Sequence, residues 1–177
     1  MLKYWEPDTS VTFEEFPDEV ALCINITQCP CNCTSCSEQW LQKDQGTLLT
    51  HEEIDKLISE HRDCTVFAFM GGDIDHAAVI EAANYIHNKY KDLKVGMYSG
   101  RDFINLELAN SLDLYKIGRW IDPGDDKEDW KNHTWGPLVW PVSNQLYFEK
   151  IDGKLINTTY KFRQHPINDW GRFIIKN

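Results

Sequence analysis

The sequence predicts an α/β fold built from parallel βαβ units, and three observations predict it. Short apolar runs rich in β-branched and aromatic residues recur between residues 19 and 118. Between them lie segments whose apolar residues fall at helical spacing. The runs end in turns that carry glycine or loop-forming residues. Strands that alternate with helices in this way pair in parallel, and ligands of such folds gather at the carboxyl ends of the strands.

The first run, Glu19 to Thr27, has the length of a buried strand. It leads directly into Gln28-Cys29-Pro30-Cys31-Asn32-Cys33-Thr34-Ser35-Cys36, which follows neither period and contains Pro, Asn and Ser, so it reads as a loop. Thr50 and Glu53 make a capping-box pair, with Thr50 as N-cap and Glu53 reaching back. Ile54, Leu57 and Ile58 then form one apolar helical face. Cys64 to Met70 is the second strand, stopped by Gly71-Gly72-Asp73. Apolar positions 79, 80, 83 and 86 predict a helix over 77–90. Leu93 to Tyr98 is the third strand, ending at Ser99-Gly100, and a helix over 102–112 precedes the fourth, Leu114 to Gly118. The cysteine loop, Gly71-Gly72-Asp73, Ser99-Gly100 and Gly118-Arg119 therefore share one rim. Residues 119–136, with Trp120, Trp130 and Trp135, form a long loop. Gln145 to Ile151 and Lys154 to Tyr160 flank Asp152-Gly153, a type I′ hairpin signal. From Pro166 onward the chain reads as a tail with Trp170, Phe173 and Ile174 to anchor it.

With 177 residues, 42% hydrophobic and 26% charged, the chain is expected to form a single domain over 1–177, its core over 10–163 and a tail over 164–177. No apolar run approaches the ~20 residues of a membrane span. The N-terminus shows no apolar signal segment, so a soluble, cytoplasmic protein is expected. Eighteen Lys and Arg against 28 Asp and Glu give a net charge of −10, a poor balance for neutralising phosphates, so nucleic acid is not expected as the ligand. Residues 154–177 carry five Lys and Arg against Asp169 alone; solvated faces explain most such imbalances.

Six cysteines stand at positions 23, 29, 31, 33, 36 and 64. Clustered cysteines in a chain with no export signal point to metal or redox chemistry rather than to a disulfide scaffold. Cys23 and Cys64 sit within apolar strands and read as small core residues. Cys29, Cys33 and Cys36 are spaced C-x3-C-x2-C. Three thiolates from one loop can hold three irons of a cubane and leave the fourth open to a small molecule. Cys31 is either a fourth ligand or a bystander. A structural zinc site is the competing reading, although zinc usually takes two knuckles well apart in sequence.

The C-x3-C-x2-C loop after the first strand, with Gly71-Gly72-Asp73 after the second, resembles the radical S-adenosylmethionine superfamily. Its size and the segments Ile24 to Pro30, Phe69 to Asp73, Tyr98-Ser99-Gly100, Lys116-Ile117-Gly118 and Ser143-Asn144-Gln145 look like the activating proteins of anaerobic (class III) ribonucleoside-triphosphate reductase. The resemblance spans residues 10–163. It implies a small incomplete (β/α) barrel of the radical S-adenosylmethionine type with a C-terminal β-hairpin. It implies a [4Fe-4S] cluster on Cys29, Cys33 and Cys36, the catalytic and metal-binding residues, and S-adenosyl-L-methionine chelating the open iron. Gly71, Gly72 and Asp73 match the glycine-rich turn that meets the methionyl amino group; there the missing side chains would let backbone approach the cofactor. Ser35 and Ser37 fall where the family contacts the nucleoside, and Ser99 is a further contact. Ser35 stands where the superfamily often has an aromatic residue and the reductase activators a glycine.

The implied activity is that of an oxidoreductase. A flavodoxin-like reductant reduces the cluster, S-adenosylmethionine is cleaved to a 5′-deoxyadenosyl radical, and the radical takes hydrogen from a glycine of the reductase's catalytic subunit. Activation of another glycyl-radical enzyme is the neighbouring reading, and a non-catalytic zinc-binding adaptor the distant one. His76, just after the turn, is expected in solvent.

Overall fold

The apolar runs become adjacent strands because they are apolar on both faces and must be covered on both. A computed structural model describes residues 1–33, 36–121, 138, 143–163, 167–169 and 172–173. In chain order the elements are β1 (Lys3–Tyr4), β2 (Ser10–Thr12), β3 (Ala21–Asn25), β4 (Thr47–Leu48), α1 (His51–Glu60), β5 (Val66–Met70), α2 (His76–Lys89), β6 (Lys94–Tyr98), α3 (Leu106–Ser111), β7 (Leu114–Ile117), β8 (Leu146–Ile151), β9 (Lys154–Asn157), β10 (Ile167–Asp169) and β11 (Arg172–Phe173). The fold is mixed α/β: one large mixed sheet and few helices.

That sheet has seven strands in the order β2-β3-β5-β6-β7-β8-β9. The four central strands β3, β5, β6 and β7 are parallel, as the alternation predicts, while β2, β8 and β9 pair antiparallel outside them. Register sets the faces. Ile24, Phe69, Met97 and Tyr115 lie side by side in one row, and Cys23, Ala68, Gly96 and Leu114 in a row facing the other way. The first row joins Ile54 and Leu57 of α1, Val79, Ala83 and Ile86 of α2, and Leu108 of α3 in one buried cluster. All three helices therefore cover the same face. Sequential strand order with crossovers of one hand produces this arrangement. Full burial of a side chain such as Phe67 or Phe69 stabilises by roughly 1.5–3 kcal/mol.

On the opposite face Cys23, Ala68 and Leu114 pack with Phe16, Leu138 and Tyr147. A Cβ at Gly96 would meet the Phe16 ring at 2.8 Å, so glycine there makes room for the ring. Cys23 is 4% exposed and Cys64 packs against the helix-side core, as the apolar runs around them require.

The boundaries shift where side chains intervene. Thr50 caps α1 by accepting from the Glu53 N–H at 3.3 Å, but Glu53 Oε1 accepts from Tyr4 Oη at 2.7 Å. A buried tyrosine from the N-terminus has taken the carboxylate that the capping box assigns to the cap. Helix α3 begins at Leu106 rather than at 102, because Asn105 caps it through the Leu108 N–H at 3.1 Å. The residues before it serve β7's exit: Arg101 O accepts from Gly118 N at 2.7 Å, and Asp102 pairs with Arg119 at 2.8 Å. At the hairpin, Asp152 (φ 49°) and Gly153 (φ 74°) both take the positive φ that a type I′ turn needs. Strands β1, β2 and β4 span two or three residues, too short to leave a period in sequence. The expected long loop from 122 onward, with Trp130 and Trp135, and the anchors Trp170 and Ile174 lie outside the described residues. Among the described residues, no helix is long and apolar enough to cross a membrane.

Candidate functional site

The four turns expected to share a rim follow the carboxyl ends of four neighbouring strands. Hydrogen bonds lace those ends together: Ile26 N to Met70 O at 3.1 Å, Gly71 N to Tyr98 O at 3.0 Å, and Ser99 N to Lys116 O at 2.8 Å. They continue the parallel ladder past the strands proper, so the turns leave in step.

The cysteine loop departs from β3 through Thr27, whose hydroxyl donates to Gln45 O at 2.7 Å. Gln28 N and Cys29 N donate to Lys43 O (3.2 Å) and Leu41 O (3.0 Å), which pins the start of the loop to the segment returning toward β4. Positive φ at Gln28 (62°) and Asn32 (48°) curls the loop, and Cys36 N donates to Cys33 O at 3.2 Å. Cys29, Cys31, Cys33 and Cys36 are all free and half-buried. Burial raises the Cys36 thiol's pKa, a backbone hydrogen bond at Glu38 offsets part of the rise, and the nearby Cys33 and Cys29 add to it. Three soft sulfur donors on one loop suit iron–sulfur or zinc chemistry. Ser37 is exposed in the turn after Cys36, and Ser35 lies outside the described residues. Among the described residues, no three His, Cys, Asp or Glu side chains converge as a site for a single ion.

Cys31 lies between Cys29, whose side chain it also meets, and the neighbouring turns. Its Sγ donates to Asp73 Oδ2 at 3.6 Å, and a Cβ on Gly100 would strike it at 2.6 Å. Burial, then the Asp73 carboxylate, pushes its pKa up to about 12, which keeps the proton that the contact needs.

Asp73 is the hub of the rim. Its side chain is 2% exposed. Oδ1 accepts from Ser99 Oγ at 2.7 Å, and Oδ2 from Gly100 N at 2.8 Å as well as from Cys31. His76 Nε2 is 3.2 Å from Oδ1, while its Nδ1 faces Asn105 Nδ2 at 3.1 Å. Because Nδ1 must accept from that amide, the ring proton sits on Nε2 and is donated to Asp73. His76 is thus a partner of Asp73 and not the solvent residue expected from its place in sequence. Both oxygens of Asp73 are spent inside the protein, so its evident role is to hold Ser99, Gly100, Cys31 and His76 in register.

Gly72 departs from the expected reason for its presence. Its φ of +116° demands glycine, but a Cβ there would meet Val79 Cγ2 of α2 at 2.8 Å. The missing side chain makes room for the core. Gly71 (φ +105°) has only ordinary contact with Ile26, at 3.4 Å.

Sequence reading quoted Lys116 within the segment Lys116-Ile117-Gly118 but gave it no role of its own. In register it closes the row Asn25, Met70, Tyr98, Lys116 on the face away from the helices. It is 9% exposed, its Nζ donates to Gly118 O at 3.3 Å and stands 5.1 Å from the centre of the Tyr98 ring. Burial lowers its pKa to about 8, so the cation persists at neutral pH. The signal was available: a lysine inside a run whose other residues are apolar.

Comparison with known proteins gives one family match. Residues 20–127, more than half of the chain, match the family model described as a 4Fe-4S single cluster domain. No curated protein and no solved structure gives a significant match.

Proposed function

The chain belongs to the 4Fe-4S single cluster domain family, and from that premise we propose that it is a radical S-adenosylmethionine activase that installs the glycyl radical on anaerobic ribonucleoside-triphosphate reductase. The observation that carries the reading is the juxtaposition of the C-x3-C-x2-C loop with Gly71-Gly72-Asp73 at the ends of the adjacent parallel strands β3 and β5. The donor set fits the cluster: three free thiols of one loop, each half-buried, with a fourth thiol, Cys31, bonded to Asp73.

Cys29, Cys33 and Cys36 would hold the cluster, each losing its proton as iron binds. When bound, the cluster supplies one electron to the sulfonium of S-adenosylmethionine, whose C–S bond breaks to give methionine and a 5′-deoxyadenosyl radical able to take hydrogen from a glycine Cα. The chain's own part is to orient and to shield. Asp73 fixes Ser99 and Gly100 beside the cysteine loop, and Gly71 takes the positive φ that the turn after β5 requires. The expected architecture, an incomplete (β/α) barrel, is supported by the four sequential parallel strands with all helices on one side. A protein substrate is supported by exposed apolar side chains in the rim loops and at the start of α3: Ile74 (45%), Phe103 (60%), Leu106 (71%) and Trp120 (38%). The partners are then the reductase's catalytic subunit and a flavodoxin-like reductant.

The test is electron paramagnetic resonance of anaerobically reconstituted, dithionite-reduced protein, with and without S-adenosylmethionine, together with an assay for 5′-deoxyadenosine. A reduced [4Fe-4S] signal that changes on adding the cofactor, with 5′-deoxyadenosine formed, is expected. A cluster signal indifferent to S-adenosylmethionine would overturn the activase reading, and zinc in place of iron would hand the loop to an adaptor role.

A further inference from the structure

A cavity of about 650 Å³ opens at the amino ends of β3 and β5, the end of the sheet away from the cysteine loop. Helices α1 and α2 stop at Glu60 and Lys89, and the loops that return from them to β5 and β6 form its walls. Backbone bonds within those loops fix them: Cys64 N donates to His61 O at 3.1 Å, and Leu93 N to Tyr90 O at 3.2 Å. The cavity is therefore pre-formed, and its size falls in the range of roughly 300–1,000 Å³ that holds small molecules. Its apolar lining is mainly aliphatic, with Leu22, Ile58, Val66 and Leu93 around the rings of Phe67 and Tyr90.

The charged side chains of the lining decide which apolar molecule fits. Arg62 donates through Nε to Ser59 O at 3.1 Å, and the outer nitrogens of its guanidinium meet no acceptor among the described residues. Lys91, exposed on the opposite loop, has no hydrogen bond or ion pair among them either. Lys89 is already spent on Asp55 at 2.6 Å. Asp92 is the one acid of the lining. Two unspent cations against one acid reverse, locally, the sign of a chain whose net charge is −10. An apolar recess with such a margin suits a ligand that ends in a single negative charge, and a guanidinium matches a carboxylate well.

We propose that this cavity binds a small amphipathic carboxylate, its acyl chain against the aliphatic lining and its carboxylate met by Arg62 and Lys91. The site holds none of the cysteine-loop thiols, so the inference does not rest on the activase reading.

The test is calorimetric titration of the full chain, reconstituted anaerobically with iron and sulfide, with octanoate and separately with octanol. A chain that takes up no iron is titrated in the same way, because the cluster plays no part in the site. Octanoate should bind saturably, one per chain, and about fivefold more tightly than the neutral alcohol, the scale of a partly exposed charge contact. Replacing both cations, Arg62→Gln with Lys91→Gln, should bring octanoate down to the affinity of octanol and leave octanol unchanged. Amide resonances of residues 58–64 and 89–93 should shift during the titration, with those of residues 100–106 at the rim unmoved. The absence of saturable octanoate binding would overturn the proposal. So would equal affinity for acid and alcohol in the wild-type chain, or shifts confined to the rim, which would place the ligand on the exposed apolar side chains there.

Discussion

Ser99 Oγ donates a 2.7 Å hydrogen bond to Oδ1 of Asp73, and this contact ties the carboxyl end of β6 to the turn that follows β5. Ser99 is 1% exposed, so neither group can turn to water instead. Asp73→Ala would strand the Ser99 hydroxyl and the Gly100 N–H together. At about 1–3 kcal/mol for each buried group left unsatisfied, the loss should reach about 3 kcal/mol. For a chain of this size that lowers the melting temperature by about 6–12 °C. Asp73→Asn keeps an acceptor for Ser99 and should lose roughly half as much. Calorimetry on the three proteins checks this, and equal melting temperatures would remove Asp73 from its place as the hub.

The cysteines should separate into two classes. Cys29→Ala, Cys33→Ala and Cys36→Ala are each expected to abolish the [4Fe-4S] absorbance and resonance after reconstitution. Cys31→Ala should keep iron, because its thiol is turned to Asp73 and Gly100. Iron and sulfide analysis of the four variants decides it, and loss of iron from Cys31→Ala would make that thiol a ligand.

Gly72→Ala should act on stability before it acts on any ligand. The added methyl group would stand 2.8 Å from Val79 Cγ2, on a backbone with φ +116°. Overpacking plus left-handed strain costs about 2–4 kcal/mol. Val79→Ala in the same chain should recover the packing share and leave the strain, which a double-mutant cycle by urea denaturation resolves. Simple additivity of the two substitutions would mean that the methyl group never meets Val79.

The Tyr4–Glu53 contact sets a pH dependence. The Tyr4 hydroxyl, at 2.7 Å, holds the Glu53 carboxyl below the usual glutamate range, and Lys56 assists. A carboxyl whose folded pKa is depressed stabilises the fold above its unfolded value near 4.3, and that contribution fades as pH falls through the lower folded value. Tyr4→Phe should therefore cost about 1.5 kcal/mol at neutral pH, and the gap between the two proteins should narrow below pH 4. Urea titrations at pH 7 and pH 3.5 test the sign. A gap that widens in acid would contradict it.

Much of the rim could be read from sequence, because the features that locate it are local. The turn after Met70 follows from two glycines ending an apolar run, and the C-x3-C-x2-C spacing needs no tertiary contact to be seen. The hairpin at Asp152-Gly153 is equally local, since a two-residue turn imposes its own backbone angles. Helix α3 starts four residues later than expected because Asn105 caps it, while Arg101 and Asp102 before it are held by Gly118 and Arg119, far along the chain.

By itself the sequence determined the parallel α/β plan, the succession of strands and helices along the chain and which loop carries the thiols, since periodicity and spacing are properties of neighbouring residues. Only the tertiary structure decided what those residues face. Parallel register brings positions 31, 73, 76, 99 and 100 into one hydrogen-bonded group. It turns Gly72 toward Val79 and buries Lys116 beside Tyr98. The reason is physical: the partner of a buried polar group is chosen by proximity in space, and parallel strands adjacent in the sheet stand twenty to fifty residues apart along the chain.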